Sequence, residues 1–169
     1  MCKLTPAIVF ESILARMKKI DELTHGFWRS KSLETLTTLE WEALCDGCGK
    51  CCLHKLQDDD TDEVFYTRVA CQLLDRRSAR CTDYPNRKSR VPDCVDLREM
   101  SREQMAWMPA TCAYRRVAEG QDLPDWHYLR SGRPGLVHKA TSSVRGRTIP
   151  ESEVDLDRLE EYIIHWVDN

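Results

Sequence analysis

Cys45-Asp46-Gly47-Cys48-Gly49-Lys50-Cys51-Cys52 sets four thiols into eight residues, and four more follow at Cys71, Cys81, Cys94 and Cys112. A C-x2-C step lets two thiolates of one tight turn reach a single metal ion, because two intervening residues bring both sulfurs to the same side of the loop. Here two such steps overlap and end in an adjacent pair. No run of residues approaches the roughly 18 apolar positions that a membrane span requires, and Ala7-Ile8-Val9-Phe10 is cut short by Glu11. The expected compartment is the cytoplasm, whose reducing poise keeps cysteines as thiols, so metal coordination is the natural use for them. The ninth cysteine, Cys2, reads as incidental.

Thiolates are soft donors, which favours zinc or iron-sulfur over magnesium or calcium. Cys45-Asp46-Gly47-Cys48-Gly49 has the form of a zinc-knuckle half, in which the glycine after the second cysteine permits a positive φ and aims backbone N–H groups at sulfur. The continuation to Cys51 gives C-x2-C-x2-C, a spacing that wraps three irons of a [4Fe-4S] cluster. Zinc and iron, the latter including a [4Fe-4S] cluster, both stay open on this spacing. Side chains of neighbouring residues usually diverge, so one of Cys51 and Cys52 is expected to face a second centre or the core. Two four-ligand sites, or one site plus buried structural thiols, both fit the count.

The rest of the chain is that of a soluble domain of 169 residues, 41% hydrophobic and 31% charged, with a formal net charge of -3. That balance gives no global case for nucleic acid. Asp58, Asp59, Asp60, Asp62 and Glu63 form an acidic loop, while Arg76, Arg77, Arg80, Arg87, Lys88 and Arg90 crowd around Cys81 as a solvated basic surface. Pro6, Val9, Ile13, Met17 and Ile20 follow helical spacing up to Gly26. A second helix is predicted from Thr38 to about Cys45, delivering the first thiol from a rigid element. Val64 to Val69 reads as a short strand. Between Arg76 and Cys94, Pro85 and Pro92 break any helix and leave a loop that a metal could organise. Ser101-Arg102-Glu103-Gln104 matches a capping box opening a short helix that ends by Pro109. A hairpin is expected around Arg145-Gly146-Arg147, and a C-terminal helix carrying Leu156, Leu159, Ile163 and Trp166.

The stretches Cys45 to Leu56, Val69 to Asp75, Cys81 to Tyr84, Val91 to Cys94 and Pro109 to Arg116 resemble the bacterial CxxCxxCC (YkgJ-type) family of zinc- or iron-chelating proteins, most nearly its YcgN-like branch. The resemblance runs from about Phe27 to Gly146, through Leu123-Pro124-Asp125-Trp126-His127 and Ser131-Gly132, and leaves residues 1–25 outside. It implies metal chelation by the cysteines. A related cysteine pattern in flagellin lysine methylases looks like an iron-sulfur site, which adds to that option. His54 reads as a partly exposed loop histidine, and His127 as part of a turn anchored by the Trp126 indole. His25, His138 and His165 read as surface residues, and Tyr84 with Arg87 as packing around the loop or a contact to sulfur or an anion.

The expectation is therefore a mainly α, irregular, loop-rich and metal-stabilised single domain with short β elements. It divides into an N-terminal helical extension (1–25), a cysteine-cluster metal-binding domain (26–150) and a C-terminal helix packed on the same domain (151–169). The expected ligands are Cys45, Cys48, Cys51, Cys52, Cys71, Cys81, Cys94 and Cys112, and the expected function is metal binding through this cluster. The alternative is a redox or metal-dependent enzyme using the cluster, and behind it a zinc-ribbon-like nucleic-acid adaptor, which balanced charge and missing aromatic-basic interleaving disfavour. No nucleotide-binding glycine loop or nucleophile elbow is present, and the sequence leaves any protein partner unknown.

Overall fold

The hydrophobic side chains separate into two clusters, and the cysteine loop runs between them. The computed structural model describes Leu23 and residues 25–168. The helix expected over Pro6 to Ile20, and Cys2, lie outside the described residues.

The first cluster is helical. Helix α1 (Phe27–Ser30) buries Phe27 and Trp28, and α2 (Thr38–Leu44) buries Trp41, Ala43 and Leu44. Thr37 and Glu40 form a reciprocal capping box at the start of α2, which satisfies two of the amide donors a helix start leaves open. Met105, Met108, Tyr114, Val117 and Leu123 complete the cluster. The Tyr114 ring packs on Trp41 at 4.7 Å between centroids, and its hydroxyl donates to the Trp41 carbonyl at 2.9 Å.

The second cluster lies on a small sheet. Strand β1 (Leu53–Gln57) pairs antiparallel with β2 (Val64–Ala70), and β5 (Ile149–Pro150) adds to β2 in parallel. Strand β1 was not expected from the sequence, because His54, Lys55 and Gln57 break its apolar pattern. The acidic loop is the turn of this hairpin: Asp58 Oδ1 accepts from the amides of Asp60 and Thr61, and the Asp58 amide donates to the Glu63 carbonyl. Leu53, Val64, Tyr66, Ala70, Leu74, Val144 and Val167 are buried here.

Several expectations change. The 76–94 stretch is not featureless: β3 (Leu74–Asp75) pairs antiparallel with β4 (Arg80–Cys81), and a 3-10 turn (Tyr84–Asn86) leads into α3 (Arg87–Arg90). The Ser101 capping box is present and opens α4 (Arg102–Met105). Helix α5 (Ala113–Ala118) follows Cys112, then come α6 (Tyr128–Ser131) and α7 (Leu136–Lys139). Instead of a hairpin at Arg145-Gly146-Arg147, the chain turns and enters β5. The C-terminal segment is a 3-10 helix, Leu156–Tyr162, kinked at Arg158, rather than an α-helix. Leu156 and Leu159 are three residues apart, the 3-10 period. Among the described residues no helix is long and apolar enough to cross a membrane.

Candidate metal centre

Cys45 is the C-cap of α2, so the first thiol is fixed at the end of a helix whose Trp41 and Leu44 are held in the core. The Asp46 carboxylate then accepts from the Cys48 amide at 3.0 Å, which tightens the turn. Gly47 and Gly49 both take left-handed backbone, with φ of 77° and 76°. This fulfils the expectation for the glycine after the second cysteine. Each is also pressed from outside: a Cβ on Gly47 would lie 2.4 Å from the Arg80 guanidinium, and one on Gly49 would lie 2.7 Å from the Val144 side chain. The Val144 amide donates to the Cys48 carbonyl at 2.9 Å, pinning the loop from behind. Lys50, Cys51 and Cys52 form a 3-10 turn that runs straight into β1.

Cys71 follows β2, and its amide donates to the Cys52 carbonyl at 2.9 Å, extending the β1–β2 ladder by one bond. Cys81 lies opposite Leu74 in the β3–β4 pair, which returns it toward Cys71. Cys94 is set by a turn after α3, its amide donating to the Val91 carbonyl. Cys112 is the N-cap of α5. All eight described cysteines are in the thiol state.

Cys45, Cys51, Cys52, Cys71, Cys81 and Cys94 line one cavity of about 790 Å3, together with Lys55, Arg80, Tyr84, Arg87 and Tyr114. Cys48 and Cys112 are not among its lining residues. Among the described residues, no three His, Cys, Asp or Glu side chains are arranged so that they could hold a metal ion as they stand. The residues fit soft-metal chemistry by donor type.

Burial penalises thiolates, and it pushes Cys45 up to about 11, Cys112 up to about 12 and Cys48 well above the ordinary thiol range. Cys71 and Cys94 are raised for the same reason. Cys51 goes the other way, down to about 6, because the Cys52 thiol donates to it across 4.0 Å and Lys55 adds positive charge. Cys52 is raised as the donor of that pair. Negative charge at Cys51 would act on Cys45, Cys48, Cys52, Cys71, Cys94 and Cys112.

Sequence reasoning passed over the residues that support the thiols. Lys50 is buried at 3% exposure, with its ammonium donating to Thr111 Oγ1 at 3.0 Å, so a buried cation joins the knuckle to the residue before Cys112. A lysine between Gly49 and Cys51 reads as solvated loop, and only its burial reveals the role. His127, not the Trp126 indole, anchors its turn: it is fully buried, donates from Nε2 to the Leu44 carbonyl at 2.9 Å and accepts at Nδ1 from the Leu129 amide. It thereby satisfies the end of α2 one residue before Cys45. The Trp126 indole N–H is instead buried with no partner in the protein. His54 lies on β1 rather than in a loop, with Nε2 2.6 Å from Glu151 Oε2. His138 Nδ1 is 2.8 Å from the Ser143 hydroxyl. The basic residues around Cys81 are engaged within the fold: Arg87 stacks on Tyr84 at 4.1 Å and pairs with Asp96, Lys88 pairs with Glu99, and Arg90 with Asp83.

Residues 44–113 match the CxxCxxCC domain family, described as "Putative zinc- or iron-chelating domain". A UPF0260 protein of Sinorhizobium medicae is 51% identical over 140 residues, covering 83% of this chain and 90% of the relative. This chain belongs to the UPF0260 family. A second UPF0260 protein, from Agrobacterium fabrum, is 53% identical over 140 residues, 83% of this chain and 86% of the relative. A third, from Rhodopseudomonas palustris, is 49% identical over 153 residues, 90% of each chain. No solved structure matches this UPF0260 chain. The domain match spans the knuckle through Cys112, and so takes in all eight described cysteines.

Proposed function

We propose that this UPF0260 protein binds zinc or iron, the latter as an ion or an iron-sulfur cluster, through the thiolates of Cys45, Cys48, Cys51, Cys52, Cys71, Cys81, Cys94 and Cys112. The observation that carries this reading is that six of the eight thiols line a single cavity. The bound metal supplies charge neutralisation and a fixed cross-link between segments distant in sequence. The chain's own contribution is to present the sulfurs and to line their cavity with Lys55 and Arg80, whose charges oppose the negative charge that a thiolate centre accumulates. Loading displaces protons from the buried thiols, so affinity falls as pH falls.

Elemental analysis with an absorption spectrum on anaerobically purified full-length protein tests this. Near-stoichiometric zinc in colourless protein, or iron with a broad dithionite-sensitive band near 400 nm, is the expected result. Folded protein purified without air and lacking both metals would remove the reading.

A further inference from the structure

We infer that Cys51 and Cys52 form a reversible, peroxide-sensitive dithiol, in which a peroxide oxidises Cys51 and Cys52 closes a disulfide onto it. This goes beyond metal binding, and its chemistry needs no bound metal.

Three observations single out the pair. The two sulfurs lie 4.0 Å apart. Cys51 is exposed, whereas the other seven described cysteines are half-buried, so it is the thiol that a small oxidant in solution meets first. Both thiols line the cavity of about 790 Å3, which leaves room for a peroxide molecule beside them. An accessible thiol set next to a resolving thiol is the arrangement in which oxidation stops at a disulfide rather than running on to sulfinic acid.

The backbone holds the resolving thiol in place. The Cys52 amide donates to the Gly49 carbonyl at 3.1 Å, and the Cys52 carbonyl accepts from the Cys71 amide at 2.9 Å. Cys52 is thereby fixed where the 3-10 turn enters β1. Lys55 braces the same corner, its ammonium donating to the carbonyls of Cys51 and Leu53.

In the first step the Cys51 sulfur attacks one oxygen of hydrogen peroxide. An S–O bond forms, the O–O bond breaks, and the other oxygen leaves as water with the thiol proton. The Cys52 sulfur then attacks the sulfenic sulfur. The S–S bond forms, the S–O bond breaks, and the oxygen leaves as a second water with the Cys52 proton. The two thiols together lose two electrons, and one peroxide is reduced to two waters.

The bond so formed is labile. Cα atoms joined by a trans peptide stand about 3.8 Å apart, closer than the roughly 4.4–6.8 Å that disulfides usually span. Closing the ring therefore twists the Cys51–Cys52 peptide and works against the hydrogen bonds of the Cys52 amide and the Cys51 carbonyl. A strained disulfide is more readily reduced, so a thiol such as glutathione returns the pair to its starting state.

Trypsin makes the pair separable from the other cysteines: cleavage after Lys50 and Lys55 gives Cys51-Cys52-Leu53-His54-Lys55, which holds no other cysteine. Full-length protein is reduced, chelated to clear any metal from the sulfurs, freed of reductant and treated with one equivalent of hydrogen peroxide. Free thiols are blocked with iodoacetamide, disulfides are reduced and labelled with N-ethylmaleimide, and the protein is digested. Both sulfurs of this peptide should carry the second label, with the free-thiol count falling by two from nine. Excess reduced glutathione added before blocking should move both sulfurs to the first label. In Cys52→Ser, dimedone should trap Cys51 as the sulfenic acid. The wild-type digest does not depend on a variant that folds. A peptide carrying the first label on both sulfurs while thiols are lost elsewhere overturns the inference, as does Cys52 joined to Cys71, its neighbour across the ladder. Cys51 recovered as sulfinic acid, or a disulfide that excess glutathione leaves intact, overturns it as well.

Discussion

Gly49 shows how tightly the knuckle is held. Its φ of 76° disfavours any L side chain, and the Val144 methyl stands 2.7 Å from where a Cβ would be. Gly120 has a similar φ of 71° and nothing within 4 Å. Gly49→Ala should therefore lose the backbone penalty of about 1 kcal/mol plus a packing term of about 1–3 kcal/mol, and Gly120→Ala only the first. Denaturant unfolding of the two variants compares them directly, and equal losses would mean that Val144 moves aside freely. Lys50 makes a different prediction. Lys50→Met keeps the length of the side chain but loses its bond to Thr111 Oγ1, so metal-free protein should lose about 0.5–1.5 kcal/mol of stability. Lys50 precedes Cys51 in the loop, and loss of its positive charge there should weaken zinc binding by about tenfold. Competition against a chromophoric chelator measures this, and an unchanged affinity would deny Lys50 an electrostatic role.

Helix α2 has only seven residues and depends on its two ends. At its start Glu40, 4% exposed, accepts from the Thr37 amide and hydroxyl and pairs with Lys31. The Lys31 ammonium, with the Thr37 donors, holds the Glu40 carboxyl below the ordinary carboxylate range. A carboxyl lowered on folding stabilises fully above its unfolded value of about 4.3 and loses that contribution as pH falls through the folded value. Glu40→Gln should accordingly lower the melting temperature near neutrality, by an amount worth about 1–2 kcal/mol. The gap from wild type should narrow on acidification below about pH 4. A gap that is constant with pH would show that charge at Glu40 does not matter. Helix α2 and strand β2 were legible from the sequence because an apolar helical face and a run of β-branched and aromatic residues mark them. Strand β1 was not, since its cross-strand bonds to β2 rather than its own residues make it a strand. Cys45, Cys48 and Cys51 stood out as ligand candidates by their spacing, but the roles of Lys50 and His127 could not be read, because they come from contacts with Thr111 and Leu44, distant in sequence.

From Arg80 to Gln104 no side chain is buried, although this stretch carries Cys81 and Cys94. Exposed ion pairs such as Lys88–Glu99 and Arg90–Asp83 contribute about 0–1 kcal/mol each, against roughly 1–2 kcal/mol for fixing each backbone residue. Metal removal should consequently free this segment first. Hydrogen exchange on chelated protein should show rapid amide exchange over 80–104 while the Phe27, Trp41 and Leu44 region stays protected, and the melting temperature should fall. Unchanged protection around Cys81 would mean that the thiols there are ordered without metal. The parallel pairing of β2 with β5 adds a kinetic side to this arrangement. Val69 pairs with Ile149, and the chain between them carries Cys71, Cys81, Cys94 and Cys112. During synthesis the β1–β2 hairpin can zip as soon as it emerges, but the sheet stays open until the whole crossover has been made. Four thiols pass through that interval beside a half-built sheet edge, exposed to oxidants and to whichever soft metal arrives first. If these cysteines take up metal as proposed, the order in which the chain emerges makes metal supply a matter of timing as well as of affinity.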